Sequence, residues 1–250
     1  MNTASRAFGG ESDLQLLKDF VTAVTAHGTY HSYWHVGDLL WGMYQNTIFD
    51  PQQNIRLWEN EVGELLGFAW LDWREVTIQA SPRLEGNDLN DLLEHMLVWG
   101  EECQRASLKG RDAGGSLGAC ALTDDFSLIE LLKHHEFQID WFHVLHMHRD
   151  LNQPIAQATL PEGWSIRPVA GEGEFQERVA LHREAWHPSK VTLEAYRRMR
   201  GAPGYTPELD LVTVAPDGPF ASYCICWLDS VNNIGLFEPV GTRLPLECRD

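Results

Sequence analysis

The sequence predicts an α/β protein with mixed, mostly antiparallel sheets, laid out as one complete module followed by a partial second one. Three observations predict it. Apolar residues recur at helical and at strand spacing in alternating segments along nearly the whole chain. A polar stretch at 151–163, holding Pro154 and Pro161, interrupts that pattern and reads as a linker between 1–150 and 164–250. Beyond it the pattern starts again, with landmarks that return at a nearly constant offset.

Residues 13–26 read as a helix, with Leu14, Leu17, Val21 and Val24 at helical spacing, Ser12 as N-cap and Gly28 as the stop. A short helix follows at 38–45. Residues 54–60 and 64–73 flank Val62-Gly63 as a hairpin, and 76–80 is a third strand. Residues 89–104 form an amphipathic helix whose apolar positions are Leu92, Leu93, Met96, Leu97 and Trp99. Residues 116–122 read as an apolar strand, 126–135 as a helix and 137–148 as a long final strand. After the linker come a strand at 164–169, helices at 172–185 and 192–200, and strands at 209–215 and 221–229. Those two strands lie around the turn Pro216-Asp217-Gly218-Pro219, and a last strand spans 234–240.

Composition narrows the function. With 44% hydrophobic residues and ten Trp in 250 residues, the chain can bury a sizeable core. No run approaches the ~18 apolar residues of a membrane span. The first twelve residues lack an apolar signal region, so no secretory leader is expected. A net charge of −17 repels phosphate backbones and anionic lipid, which argues against nucleic acid and membrane and favours a cationic partner. Five scattered Cys without a Cys-x-x-Cys pair fit free thiols in the cytoplasm.

The repeat rests on Trp70-Leu71-Asp72 and Trp227-Leu228-Asp229, 157 residues apart, each ending the second strand of a hairpin. His31, Asp38 and Met43 correspond to His187, Glu194 and Met199 at an offset of 156. A loop of different length absorbs the one-residue discrepancy.

The element order of the first module, together with Pro82-Arg83-Leu84-Glu85-Gly86-Asn87-Asp88-Leu89-Asn90-Asp91-Leu92-Leu93, resembles the GNAT superfamily of N-acetyltransferases. In that family a loop reading roughly Pro-x-x-Arg-Gly-x-Gly-x-Gly-x-x-Leu-Leu holds the cofactor diphosphate with its amides, ahead of a helix N-terminus that favours negative charge. Pro82, Gly86, Leu92 and Leu93 match it. Glu85 stands where the family has Arg or Gln, and Asp88 and Asn90 replace small residues. Gly86 and Asn87 are the residues the resemblance assigns to the cofactor in this copy. A second family element, Leu-Tyr-x-x-x-Gly-Phe, carries the Tyr that protonates the departing thiolate. Leu131-Leu132-Lys133-His134-His135-Glu136-Phe137 matches it with Leu132 in place of that Tyr, and leucine has no proton to give.

In the second copy, Phe237-Glu238-Pro239-Val240-Gly241-Thr242 resembles the family strand that precedes an intact cofactor loop. The resemblance implies that Glu238 is the general base and that the amides of Val240 and Gly241 receive the pantetheine arm, with Val240 as oxyanion donor. Pro239 has no amide hydrogen to offer. No glycine loop follows, and the chain ends eight residues later, so this copy is expected to be about half a module. The whole is similar to tandem members such as mycothiol synthase, with the second copy truncated. Two functions follow. One is transfer of acetyl from acetyl-CoA to a small-molecule amine. The other is a non-catalytic GNAT-fold remnant or binding scaffold. Either way the edge of 234–240 should be covered, by the first domain or by a second chain in a homodimer.

Other clusters have plainer readings beside the chemical one. His27, His31 and His35 at four-residue spacing would share a helix face and could hold a metal, but glycines interrupt that region and a solvated cluster is commoner. His146 and His148, near His134 and His135, invite the same comparison with a polar strand face. Cys224 beside His182 or His187 could be a nucleophile, although Cys in an apolar strand is usually core. The site expectation therefore includes no metal.

Overall fold

A computed structural model describes residues 2–28, 32–108, 115–157 and 159–243. Among these, the first five-stranded sheet runs in the order β1 (Thr3–Ala7), β2 (Ile55–Asn60), β3 (Leu65–Asp72), β4 (Glu75–Ala80) and β5 (Gly118–Ala119). Neighbours are antiparallel except β4 and β5, which are parallel. β3 is buried from Leu65 to Leu71, because helices cover both its faces. On one face α1 (Glu11–His27) and α2 (Val36–Tyr44) pack Leu17, Val21 and Leu39 onto Phe68 and Trp70. A short α3 (Pro51–Asn54), capped by the Asp50 carboxylate, leads into β2. On the other face α4 (Gly86–Leu108) and α5 (Phe126–His134) pack Met96, Leu97 and Leu128 onto Ala69 and Leu71.

The second sheet is antiparallel throughout: β6 (Ser165–Pro168), β7 (Asp210–Val214), β8 (Phe220–Asp229) and β9 (Ile234–Thr242). Strand periodicity turns Tyr223, Ile225 and Trp227 of β8 inward, while Cys224, Cys226 and Leu228 alternate onto the more open face. The inward face meets α6 (Phe175–Ala185) and α7 (Leu193–Arg200), and also α2, whose Leu40 joins Ile225, Trp227, Tyr196 and Met199. Both sheets therefore pack on α2. The approach is tight enough to exclude side chains. A Cβ on Gly37 would lie 2.5 Å from Trp227 Cγ, and one on Gly42 would lie 3.0 Å from Trp70 Cζ2.

An ionic knot holds the second half together. Arg178 and Asp210 are both sealed from solvent, with Nε donating to Oδ1 at 3.1 Å. The guanidinium lies 3.6 Å from the Tyr223 ring centroid. Asp210 Oδ2 accepts from the Tyr196 hydroxyl and, at 2.8 Å, from that of Tyr205. The carboxylate's lone pairs are thus used, which is the condition for keeping a charge pair in a core.

Several sequence expectations are corrected. Residues 137–148 form no strand. β5 is only two residues long, and 137–148 lies outside both sheets with Trp141 and Met147 86% and 87% exposed. The strand at 116–122 shrinks to β5. α1 begins after Gly10, which makes no side-chain cap, so Ser12 is not the N-cap. β1 was not expected. It is fastened by Arg6, which donates to Asp13 at 2.6 Å and Glu59 at 2.7 Å and thereby holds the Asp13 carboxyl below its usual range. α5 closes with Phe137 N donating to Leu132 O and Glu136 N to Lys133 O. That leaves Glu136 at φ 64°, where the resembling motif has Gly.

Two stability outcomes follow. Gly37→Ala should cost about 2 kcal/mol or more despite its better helix propensity, because the Trp227 ring root cannot yield without moving β8. Asp210→Ala should cost about 3–5 kcal/mol by leaving Arg178 buried and unpaired, with Arg178→Met/Asp210→Ala less damaging than Asp210→Ala alone. Chemical denaturation of the three variants beside the parent protein measures both.

Candidate acyl-transfer site

β9 is the last strand of its sheet, and among the described residues no strand pairs with its outer side. Its pairing with β8 is interrupted. Cys224 faces Val240 but Cys226 faces Phe237, so Ile225 alone opposes Glu238 and Pro239. Such a bulge bends the strand and re-aims the side chain on it. The β3–β4 pairing of the first sheet is regular from Gly67↔Ala80 to Asp72↔Glu75 and has no counterpart of this bulge. The Glu238 carbonyl is held by Trp227 Nε1 at 2.6 Å, which fixes the bulge to the residue that packs on α2.

The Glu238 side chain is mostly buried. Burial, and then the charge of Asp38 on α2, push its carboxyl up to about 7. Asp38 is itself pushed up to about 6 by burial, although the His35 amide donates to its Oδ2 at 2.7 Å. His35 caps α2 by accepting from Gly37 N at 3.0 Å, and burial lowers its pKa. Val240 is half exposed on the open edge, and its carbonyl accepts from Trp186 Nε1 at 3.1 Å. Gly241 is where β9 crosses a tyrosine: a Cβ there would lie 2.6 Å from Tyr223 Cε1 and 2.9 Å from Ala185 Cβ.

Beneath this edge lies a group that sequence reasoning missed. The Tyr223 hydroxyl and His182 Nδ1 share a hydrogen bond of 2.6 Å, and the Tyr223 ring rests on Arg178. Burial, then the Arg178 cation, push His182 down to about 3, so its imidazole is neutral. These residues are scattered over 178–223, and no motif spacing links them.

The structure gathers Glu238, Val240 and Gly241 on β9 and leaves Gly86 and Asn87 on the other sheet, at the start of α4. Gly86 opens that helix at φ 56° with empty space where a Cβ would be, and Asn87 is exposed. Exposed Glu85 and Asp88 stand at the same turn. Their negative charge answers the helix N-terminus, so these residues do not fit a diphosphate. Leu132 lies in the core of the first half. Burial pushes the Cys224 thiol up to about 11, and His182 is hydrogen-bonded to Tyr223 and not to Cys224. His135 is engaged by Glu94 and Glu101 at 3.1 and 3.0 Å. Among the described residues no three His, Cys, Asp or Glu side chains converge as metal ligands. His31 lies outside the described residues, and no described helix is long and apolar enough to cross a membrane.

No family model matches the sequence, and no curated protein matches it. Solved structures do. The chain is similar to a GCN5-related N-acetyltransferase from Sphaerobacter thermophilus, with a TM-score of 0.60 at 21% identity, over 99% of this chain and 78% of that one. It is also similar to N-myristoyltransferase of Saccharomyces cerevisiae with bound myristoyl-CoA, with a TM-score of 0.51 at 11% identity, over 100% of this chain and 65% of that one. At such identities the likeness carries the fold. The protein is an α/β chain with the GNAT acyl-CoA N-acyltransferase fold.

Proposed function

We propose that the chain is an acyl-CoA-dependent N-acyltransferase, acetyl-CoA being the donor and a small amine the acceptor, with the chemistry on β9. The supporting observation is the bulge that sets Glu238, a carboxyl titrating near 7, on an open strand edge of an acyltransferase fold. Amines reach the site largely protonated, and a base of that pKa takes the proton at neutral pH without holding it too tightly. The freed nitrogen attacks the thioester carbonyl and a C–N bond forms, then the C–S bond breaks and the departing thiolate takes up the second proton that the new C–N centre sheds. Val240 N–H is the oxyanion donor in this reading, and the Gly241 amide receives the pantetheine arm. The two sheets are taken as two copies, 1–150 and 164–250 joined by 151–163. In support, Trp70 and Trp227 hold the same place in β3 and β8 and each meets a glycine of α2. A homodimer pairing two β9 edges and a cytoplasmic setting complete the proposal.

Calorimetric titration with acetyl-CoA and with myristoyl-CoA tests the donor: saturable binding of the acetyl form supports the reading, and no binding of either at millimolar concentration overturns it. Glu238→Gln should leave donor binding intact and lower turnover by about 100-fold or more. In the parent protein log(kcat/KM) should climb with pH and level off above about 7, an inflection the variant lacks. The same shift acts on stability with opposite sign. A folded-state carboxyl raised above its unfolded value favours the fold below the ordinary carboxylate range and loses that contribution as pH rises through 7. Glu238→Gln should therefore raise Tm at about pH 8 and not at about pH 4.

A further inference from the structure

Between α2 and the β3–β4 hairpin lies a cavity of about 260 Å³ whose walls have one chemical character. Trp34, Trp41, Trp70 and the exposed Trp73 line it together with three carboxylates, Asp38, Asp72 and Glu75, and no Lys or Arg is among the lining residues. Trp70 is locked there, stacked on Phe49 at 4.9 Å and edge-on to Trp34 at 4.8 Å. Trp73 is held at the hairpin tip in the left-handed region, φ 57°, with its ring 70% exposed. Asp38 is recessed and, among the described residues, has no cationic partner; its one hydrogen bond is from its own helix cap. Among the described residues the Asp72 carboxylate accepts a long 3.5 Å contact from Gln45. Burial pushes both carboxyls up, which shows how little compensates them.

A cation is already drawn to Trp73. Lys190, from the loop between α6 and α7, places Nζ 3.4 Å from the centroid of the Trp73 ring and lowers the Asp72 pKa by its charge. An ammonium over an indole face beside a carboxylate is the favourable geometry for cation–π recognition. The volume is below the roughly 300–1,000 Å³ of drug-sized ligand sites and suits a group as small as an alkylammonium.

We infer that this tryptophan-walled, carboxylate-lined cavity binds the ammonium group of a small organic amine, with Lys190 as an internal cation that the ligand displaces from Trp73. The site deepens the proposed function, on which its role as acceptor site rests. Asp38 is common to the cavity and to the charge that raises Glu238, which links the cavity to the proposed base through one carboxylate of α2. A diamine fits both demands: one nitrogen stays protonated in the cavity while the other is acylated.

The test is binding of putrescine to the full chain without acyl-CoA, followed by tryptophan fluorescence and calorimetry, with 1,4-butanediol as the uncharged control. Putrescine should bind saturably and butanediol should not. Trp73→Ala and Asp72→Asn should each weaken binding about 10-fold, and Lys190→Ala should tighten it several-fold. The last variant keeps the inference falsifiable even where the others disturb the fold. An equal response to butanediol, no response to millimolar putrescine, or unchanged or weaker binding by Lys190→Ala would overturn it. The two readings fail separately. Glu238→Gln should retain putrescine binding. Putrescine binding without acyl-CoA binding sinks the acyltransferase and spares the cavity, and acyl transfer without putrescine binding does the reverse.

Discussion

The rest of the structure depends on how closely one short helix approaches two indoles. Gly37 and Gly42 are five residues apart on α2, about 140° around the helix, so they open different sides of it. Trp227 fills one opening and Trp70 the other. Leu39 follows the first sheet's core and Leu40 the second's, so a helix of nine residues is apolar nearly all round and acts as a wedge common to both sheets. Its N-terminus is where the consequences gather. Trp227 also holds the Glu238 carbonyl, and Asp38, in the first turn, reaches both Glu238 and the aromatic cavity. Packing and candidate chemistry therefore share the same few residues.

Two ways of burying acid stand side by side. Asp210 meets a guanidinium and two tyrosine hydroxyls, and the result is a knot that gives the second half a fixed interior. Among the described residues Asp38 and Glu238 meet no cation, and burial pushes their carboxyls up to about 6 and about 7. A fold selected for stability alone would have paired or replaced them, because an uncompensated buried carboxyl costs free energy in its charged form. A perturbed carboxyl such as Glu238, on a bulged and open strand edge, suits the proton abstraction proposed above.

Much of the architecture was legible from the chain. Helical spacing of Leu14, Leu17, Val21 and Val24 marks α1, and Leu92 to Leu97 mark α4, because each helix buries one stripe. β1 was invisible, since Thr3 to Ala7 offers no large apolar alternation and is held by an arginine instead. The alternation in 137–148 was real but misread: periodicity states which side chains could be buried together, and only a neighbouring strand decides whether they are. Glu238 could be named from its strand. Its bulge could not, because the offset exists only in the register between two strands. The cavity was half legible. The tryptophans stood out as core or cleft, but which carboxylates face them is decided by the β3–β4 hairpin and α2 coming together.

The exposed segment after α5 has a consequence for how the molecule behaves in bulk. Ile139, Trp141, Leu145 and Met147 stand in water on a ribbon that belongs to neither sheet, next to Phe142 and Val144. Such a ribbon is adhesive toward its own kind. What opposes it is the chain's charge of −17, which keeps two molecules apart at range. That repulsion reaches only about 8 Å at physiological ionic strength and less in stronger salt, while adhesion between apolar strands survives screening. The protein is thus a charge-stabilised colloid with a sticky seam, and the ions around it set how crowded it can become before its copies join.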